Sequence, residues 1–225
     1  LSLNRAEALT MRMARMAGID ALDVRLLDPI RTPILVATRL GHLPCGFEGE
    51  VLSARRLLCV KPNDAVDLPA LLDLMRVHVH ADHFADDARQ LWLRLVFMRL
   101  IHHPGDYLPK FDFVSDGEGR MRLAPACGLR VQAVPVSDLI DDREAGPGLR
   151  PPASALLTFA DAFGVEMAQA YEYLRRQVTA LSQWKSLASQ IFVNMSTWDI
   201  GRLEAPMSNA WLMGTRMQQS AYRLT

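Results

Sequence analysis

The sequence predicts a mainly α-helical chain with a minor β component, an α+β fold. Three observations carry that expectation. Apolar residues recur at helical spacing in several long stretches, with Leu91, Leu95, Met98 and Ile101 the clearest set. One β-branched apolar run, ILVAT, stands between them after a proline. Two short apolar segments flank SDGEG, an acidic, glycine-rich turn typical of a β-hairpin. At 225 residues and 50% apolar composition, the chain can bury a sizeable core.

Taken in order, Leu3 to Gly18 is predicted as an amphipathic helix: Leu9, Met13 and Met16 share a face, Asn4 serves as cap and Gly18 as stop. Arg31 to Arg39 is expected to form one buried strand, followed by a loop over Gly41 to Glu50. Val51 to Leu58 is expected to be a short helical segment. Leu68 to His80 is a helix opening after Asp67, with Pro69 in its first turn. Asp86 to Ile101 is the strongest helix. His102 to Lys110, HHPGDYLPK, must then be a loop because two prolines and a glycine interrupt it. Phe111 to Val114 and Arg120 to Leu123 form the hairpin, and Ala124 to Pro135 a second loop. Ile140 to Pro152 is charged and rich in Gly and Pro, a segment expected to be mobile. Ala153 to Phe163 is a helix stopped by Gly164, and Glu166 to Leu187 a long one. The methionine-rich tail from Met207 to Thr225 has only weak patterning.

Charge excludes whole classes of function. Lys and Arg total 25 against 25 Asp and Glu, and the pI is about 7.2, so a generally basic nucleic-acid binder and an acidic polyelectrolyte are both ruled out. Only Lys61, Lys110 and Lys185 are lysines. The three cysteines, Cys45, Cys59 and Cys127, are odd in number and widely spaced, which points to free thiols in a reducing, cytoplasmic setting. No apolar run approaches the roughly 20 residues that span a bilayer, and no signal-peptide pattern opens the chain. The first residue is Leu1, so the chain is expected to be part of a longer polypeptide.

Local motifs narrow the chemistry further. His78, His80 and His83 cluster in HVHADH without an HExxH or a complete zinc pattern, so a helix-capping loop is the expected role. His102 and His103 fall at a helix C-terminus, where the dipole favours partial positive charge. No GxSxG, Walker or GxGxxG element is present. The methionines of the first helix, and Trp92, Trp184, Trp198 and Trp211, are expected to pack. More informative is the order of elements: a long helix, a proline-bearing loop, a hairpin, then another loop. In protein kinases the first loop carries the catalytic base and the second a metal-binding Asp.

Five segments, in order, resemble the C-terminal part of the HipA-like serine/threonine kinases, the toxin half of bacterial toxin–antitoxin pairs. NRAEALTMRMARMAGIDALDVRLL (Asn4 to Leu27) is similar to the family's Asn-Glu helix ending in AGI and the strand after it. ILVATRL (Ile34 to Leu40) resembles its V-x-x-R-F-D element, and VLSARRLL (Val51 to Leu58) the segment that follows. LWLRLVFMRLI (Leu91 to Ile101) resembles the helix entering the catalytic loop, and RLAPACGL (Arg122 to Leu129) the metal loop R-L-[ST]-P-x-x-D-[LI]. The resemblance covers about the first 135 residues, and FGV at Phe163 to Val165 fits the helical tail more loosely. It implies one kinase C-lobe of the HipA type, with a hinge strand and a short catalytic-region hairpin. Residues 1–60 supply helix and hinge from the N-lobe side, and 61–225 the helical C-lobe. The N-lobe phosphate loop and the nucleotide-anchoring residues are expected upstream of this chain.

The departures fall on the chemistry. The family's catalytic loop reads approximately N-T-D-x-H-x-x-N. In register, the catalytic Asp position is Gly105 and the metal-binding Asn position is Lys110. The second metal Asp falls on Gly128, and the Asp of R-F-D on Gly41. Asp106, one residue off register, is a candidate substitute for the base, although Phe111 then stands where the metal-binding Asn should be. Glu7 matches the Asn-Glu element, either as a solvent-facing helix glutamate or as a retained structural residue. ATP and Mg2+ are implied by the resemblance, and these losses imply that they are not used productively, since phosphoryl transfer depends on positioning and charge neutralisation. A pseudokinase follows, with a helix-turn-helix antitoxin-like protein or a second HipA-like chain as partner. The alternatives are an active kinase of this family acting on a translation factor or aminoacyl-tRNA synthetase, and a helical interaction module unrelated to kinases. Absence of the hairpin, or of the strand at Ile34 to Thr38, would favour the last.

Overall fold

Helix α1 (Leu3–Met16) forms where the spacing predicts and buries Ala6, Leu9, Met13 and Ala14. Asn4 does not cap it. Ser2 takes the cap position, and Asn4 Nδ2 instead donates to Pro33 O at 2.7 Å, pinning the helix to the next strand. In this computed structural model, residues 2–27, 33–37, 49–62, 64–115, 119–132, 148–190 and 193–225 are described. Gly41 and Cys45 lie outside them.

Strands β1 (Val24–Leu27) and β2 (Ile34–Ala37) make a two-stranded antiparallel ribbon, with Val24 opposite Ala37 and Leu27 opposite Ile34. The strand expected to be buried is therefore present but half open: Ile34 is 50% and Val36 45% exposed. A two-stranded ribbon has a face with no sheet behind it, and β-branched composition alone does not reveal that.

The segment expected to be helical from Val51 splits. Strand β3 (Val51–Ser53) joins the sheet, and Ser53 Oγ caps the short α2 (Ala54–Leu57) by accepting from Arg56 N. Its strand partner is β4 (Asp112–Ser115), which pairs in turn with β5 (Met121–Leu123), giving the order β3-β4-β5. Phe113 faces Leu52 on one side and Leu123 on the other, so the expected hairpin exists with an additional strand on its edge.

Helix α3 (Leu68–His78) begins as predicted, with Asp67 Oδ1 accepting from Ala70 N at 2.9 Å. Helix α4 (Ala81–Leu100) starts earlier than its apolar stripe suggests, because His80 Nδ1 accepts from Asp82 N at 3.2 Å and caps it. This is the central helix. Leu91, Trp92, Leu95, Val96, Phe97 and Met98 are all inaccessible to solvent, so it is surrounded rather than one-sided.

Beyond the sheet, α5 (Ala153–Thr158) leads through a 3-10 turn to Gly164, whose left-handed φ of +69° ends the segment as expected. The long helix expected over 166–187 is two: α6 (Met167–Ser182) and α7 (Trp184–Ser189), separated at Gln183. The weakly patterned tail is the longest helix of all, α8 (Thr197–Arg223), capped by Ser196 Oγ accepting from Asp199 N at 3.1 Å. It buries Leu203, Met207, Ala210, Gly214, Met217 and Ala221 and packs along α6. A Cβ on Gly214 would lie 2.8 Å from Val178 Cγ2, so this glycine sets how closely the two helices approach. Among the described residues no helix is long and apolar enough to cross a membrane.

Candidate functional site

The loop after α4 and the loop after β5 are held side by side, and the buried face of α4 does the holding. Arg94, fully buried in α4, donates from Nη1 to Ala124 O at 2.6 Å and from Nη2 to Asp20 O at 3.2 Å. About two turns earlier, Asp87 accepts from Leu123 N at 2.8 Å and pairs with Arg122. Ala126 N then donates to Asp20 O, and Leu22 N to Ala126 O, strapping the second loop to the chain after α1. Burial pulls the Arg94 guanidinium down to about 10, opposed by Asp20 and Asp87, and it stays charged at neutral pH. Arg94→Met is expected to cost about 2–4 kcal/mol, because two carbonyls lose a charged donor in a dry interior. Urea denaturation measures it, and a cost under about 1 kcal/mol would contradict this role.

The first loop runs from His102 to a 3-10 turn over Leu108–Lys110. Gly105 is exposed, with φ +73° and nothing within 4 Å of where a Cβ would stand. Gly105, which the sequence resemblance sets against the family's catalytic Asp, therefore carries no side chain and faces open space. Asp106 beside it is engaged elsewhere. Its Oδ2 pairs with Arg55 Nη2 from α2, and its Oδ1 accepts from Leu108 N at 3.0 Å and Leu149 N at 2.8 Å. Tyr107 N donates to Leu149 O at 3.1 Å, so residues 106–107 and 149 are laced together. Gly148 permits this approach: at its φ of +92°, a Cβ would fall 2.3 Å from Asp106 Cγ.

Lys110 and Gly128 meet directly. A Cβ at Gly128, whose φ is +63°, would stand 2.7 Å from Lys110 Nζ. The same ammonium faces Glu7 of α1 and Asp112 of β4, each a partly buried carboxyl that burial pushes up and Lys110 pulls back down. Glu7 is thus turned toward the two loops rather than purely toward solvent. Cys127 completes this corner, its Sγ directed at Asp112 Oδ2 at 3.9 Å, and burial pushes its thiol up. Among the described residues no three His, Cys, Asp or Glu side chains converge as a metal site, the HVHADH cluster included.

The two loop histidines correct the expectation of partial charge. His102 and His103 are each 2% exposed, and burial drives both imidazoles down to about 4. They are neutral fasteners: His102 Nε2 meets Asn209 Nδ2 at 2.9 Å, and His103 Nδ1 accepts from Arg130 N at 3.2 Å. Thr10 Oγ1 of α1 accepts from Val131 N next to this point. Periodicity could not single out Arg55, Arg94, Leu149 or Asp112, because their partners lie far off in sequence. The only local signal was the glycine at position 148, in a stretch already rich in Gly and Pro.

A helix, a loop, a hairpin and a second loop strapped beside the first define a protein-kinase-like fold of the HipA type. The chain superposes on HipA in the Shewanella oneidensis MR-1 toxin–antitoxin complex of HipA, HipB and operator DNA, with a TM-score of 0.62 and 15% identity. That match covers 95% of this chain and 55% of HipA, so the chain spans little more than half of HipA's length. It superposes equally, at TM-score 0.62 and 11% identity, on the Helicobacter pylori proinflammatory kinase CtkA, covering all of this chain and 86% of CtkA. No family model matches the sequence, and no curated protein does either. At these identities the likeness is one of fold.

Proposed function

We propose that this chain is a degenerate kinase module that has lost phosphoryl transfer and works through protein–protein contacts in a toxin–antitoxin-like system. The observation that carries this is the first loop. Gly105 offers no base, and the neighbouring carboxylate of Asp106 is spent on Arg55 and two backbone N–H groups. Catalytic-loop losses of this kind cost several powers of ten in rate. Magnesium has no fit here either, with an ammonium at position 110 and no side chain at 128.

The partner is proposed to be a helix-turn-helix antitoxin-like protein or a second HipA-like chain, in line with the HipA–HipB–DNA complex among its structural neighbours. Exposed aromatic residues on α8, Trp198 at 73%, Trp211 at 45% and Tyr222 at 66%, are suited to such contacts. The likeness to CtkA, a kinase, supports a second reading, an active kinase; the HipA resemblance would make its substrate a translation factor or aminoacyl-tRNA synthetase. Transfer from γ-labelled ATP with Mg2+ or Mn2+, on the full natural polypeptide, separates the two. The natural chain is expected to stay unlabelled while Gly105→Asp/Lys110→Asn/Gly128→Asp gains label. Label on the natural chain would end the pseudokinase reading.

A further inference from the structure

We infer that the Lys110 ammonium is the resident cation of this site, occupying the ground of a divalent metal and making the corner between α1, β4 and the second loop independent of metal. The inference rests on the degenerate-kinase reading, and three observations carry it.

The first is steric. Nζ and Cε of Lys110 lie 2.7 and 3.8 Å from where the Cβ of residue 128 would emerge. A side chain there would push the lysine end out of the place it holds, and a glycine is what the chain has. The second is electrostatic. The charge of Lys110 acts on carboxylates from two separate elements, Glu7 and Asp112, and is the largest influence opposing their burial. It also acts on Cys127 and His103, so the ammonium stands among four groups contributed by four chain segments. A hard divalent ion would seek those same carboxylate oxygens and would meet a fixed positive charge beside them. The third is charge balance. Relative to the resembled Asn and Asp, Lys110 adds one positive charge and Gly128 removes one negative charge. Together they shift the site by the charge of one divalent ion. The two departures form a compensated pair rather than two independent losses.

Manganese binding, followed by the electron paramagnetic resonance of free Mn2+ alongside thermal unfolding, tests this on the full natural polypeptide. The natural protein is expected to leave Mn2+ free at this site, with the same unfolding midpoint in EDTA as in Mn2+. Lys110→Asn/Gly128→Asp is expected to retain Mn2+ and to gain a metal-dependent rise in midpoint; aspartate is among the residues that best tolerate the backbone conformation at 128. Mn2+ held by the natural protein and released by Asp112→Asn would overturn the inference. So would a folded double variant that still leaves Mn2+ free. Scoring γ-phosphoryl transfer on the same samples keeps the two questions apart. Mn2+ bound at this site by the natural protein without transfer sinks only the resident-cation inference, whereas transfer by the natural chain sinks the pseudokinase reading.

Discussion

Asp106→Ala is expected to lower the unfolding free energy by about 3–5 kcal/mol, the loss typical of removing one partner from a largely buried ion pair. The Asp106 side chain is 13% exposed and that of Arg55 20%. Without the carboxylate, Leu108 N and Leu149 N lose their acceptor, and Arg55 is left charged with Nη1 already lacking a hydrogen-bond partner among the described residues. Asp106→Asn keeps an acceptor for the two N–H groups and removes only the charge, so about 1–3 kcal/mol is expected. A double-mutant cycle with Arg55→Met should return a favourable coupling, with the pair costing less than the two singles together. Chemical denaturation reads all of these. An Asp106→Ala protein as stable as the natural one would return Asp106 to the list of candidate bases, since a catalytic aspartate in solvent contributes little to folding.

The second large effect is acid sensitivity. His102 and His103 titrate at about 4 in the folded protein, against an ordinary value near 6.5. Burial is the main cause for both, with Arg99 and Arg150 adding for His102, and Lys110 adding while the Arg130 backbone opposes for His103. A folded value below the unfolded one means that protonation favours unfolding. The contribution of each ring is therefore complete above pH 6.5 and is lost as the pH falls from 6.5 toward 4. At pH 5 the loss is roughly 2 kcal/mol per histidine, from about 1.4 kcal/mol per pH unit. Glu7 and Asp112 act in the opposite sense: their raised values cost stability at neutral pH, a cost relieved as the pH falls through those raised values. Urea midpoints should accordingly fall between pH 7 and pH 5, by less than the two histidines alone would give. His103→Gln should lower stability at pH 7 and flatten the profile. A natural protein equally stable at both pH values would show that neither ring is held neutral.

Most of the helical frame was legible in the sequence, because a helix declares itself within a few turns of chain. Asp67 before Leu68-Pro69 announced α3, the Leu91–Ile101 stripe announced α4, and Gly164 announced the end of its segment. The hairpin was equally local. Where expectation failed, the deciding contact came from elsewhere. The buried positions of α8 alternate four and three residues apart, but Ala210, Gly214 and Ala221 are too small to mark an apolar stripe. They serve α6 by letting it come close, which only the packed pair reveals. β2 carries the composition of an interior strand and lies half exposed because, among the described residues, its ribbon has one partner strand and no sheet behind it.

The site divides in the same way. That position 105 carries a glycine, position 110 a lysine and position 128 a glycine can be read along the chain, since it concerns which side chains exist. That Asp106 is tied to Arg55 and Leu149 cannot be read there, and neither can the neutrality of His102 and His103 or the meeting of Lys110 with Gly128. Ion pairing, desolvation and exclusion of volume depend on distances between groups that the chain separates by tens of residues. The sequence by itself determined the order of the elements and which chemical groups the two loops lack. Only the tertiary structure decided how the remaining charges are used, because that depends on which of them folding brings within reach of one another and out of water.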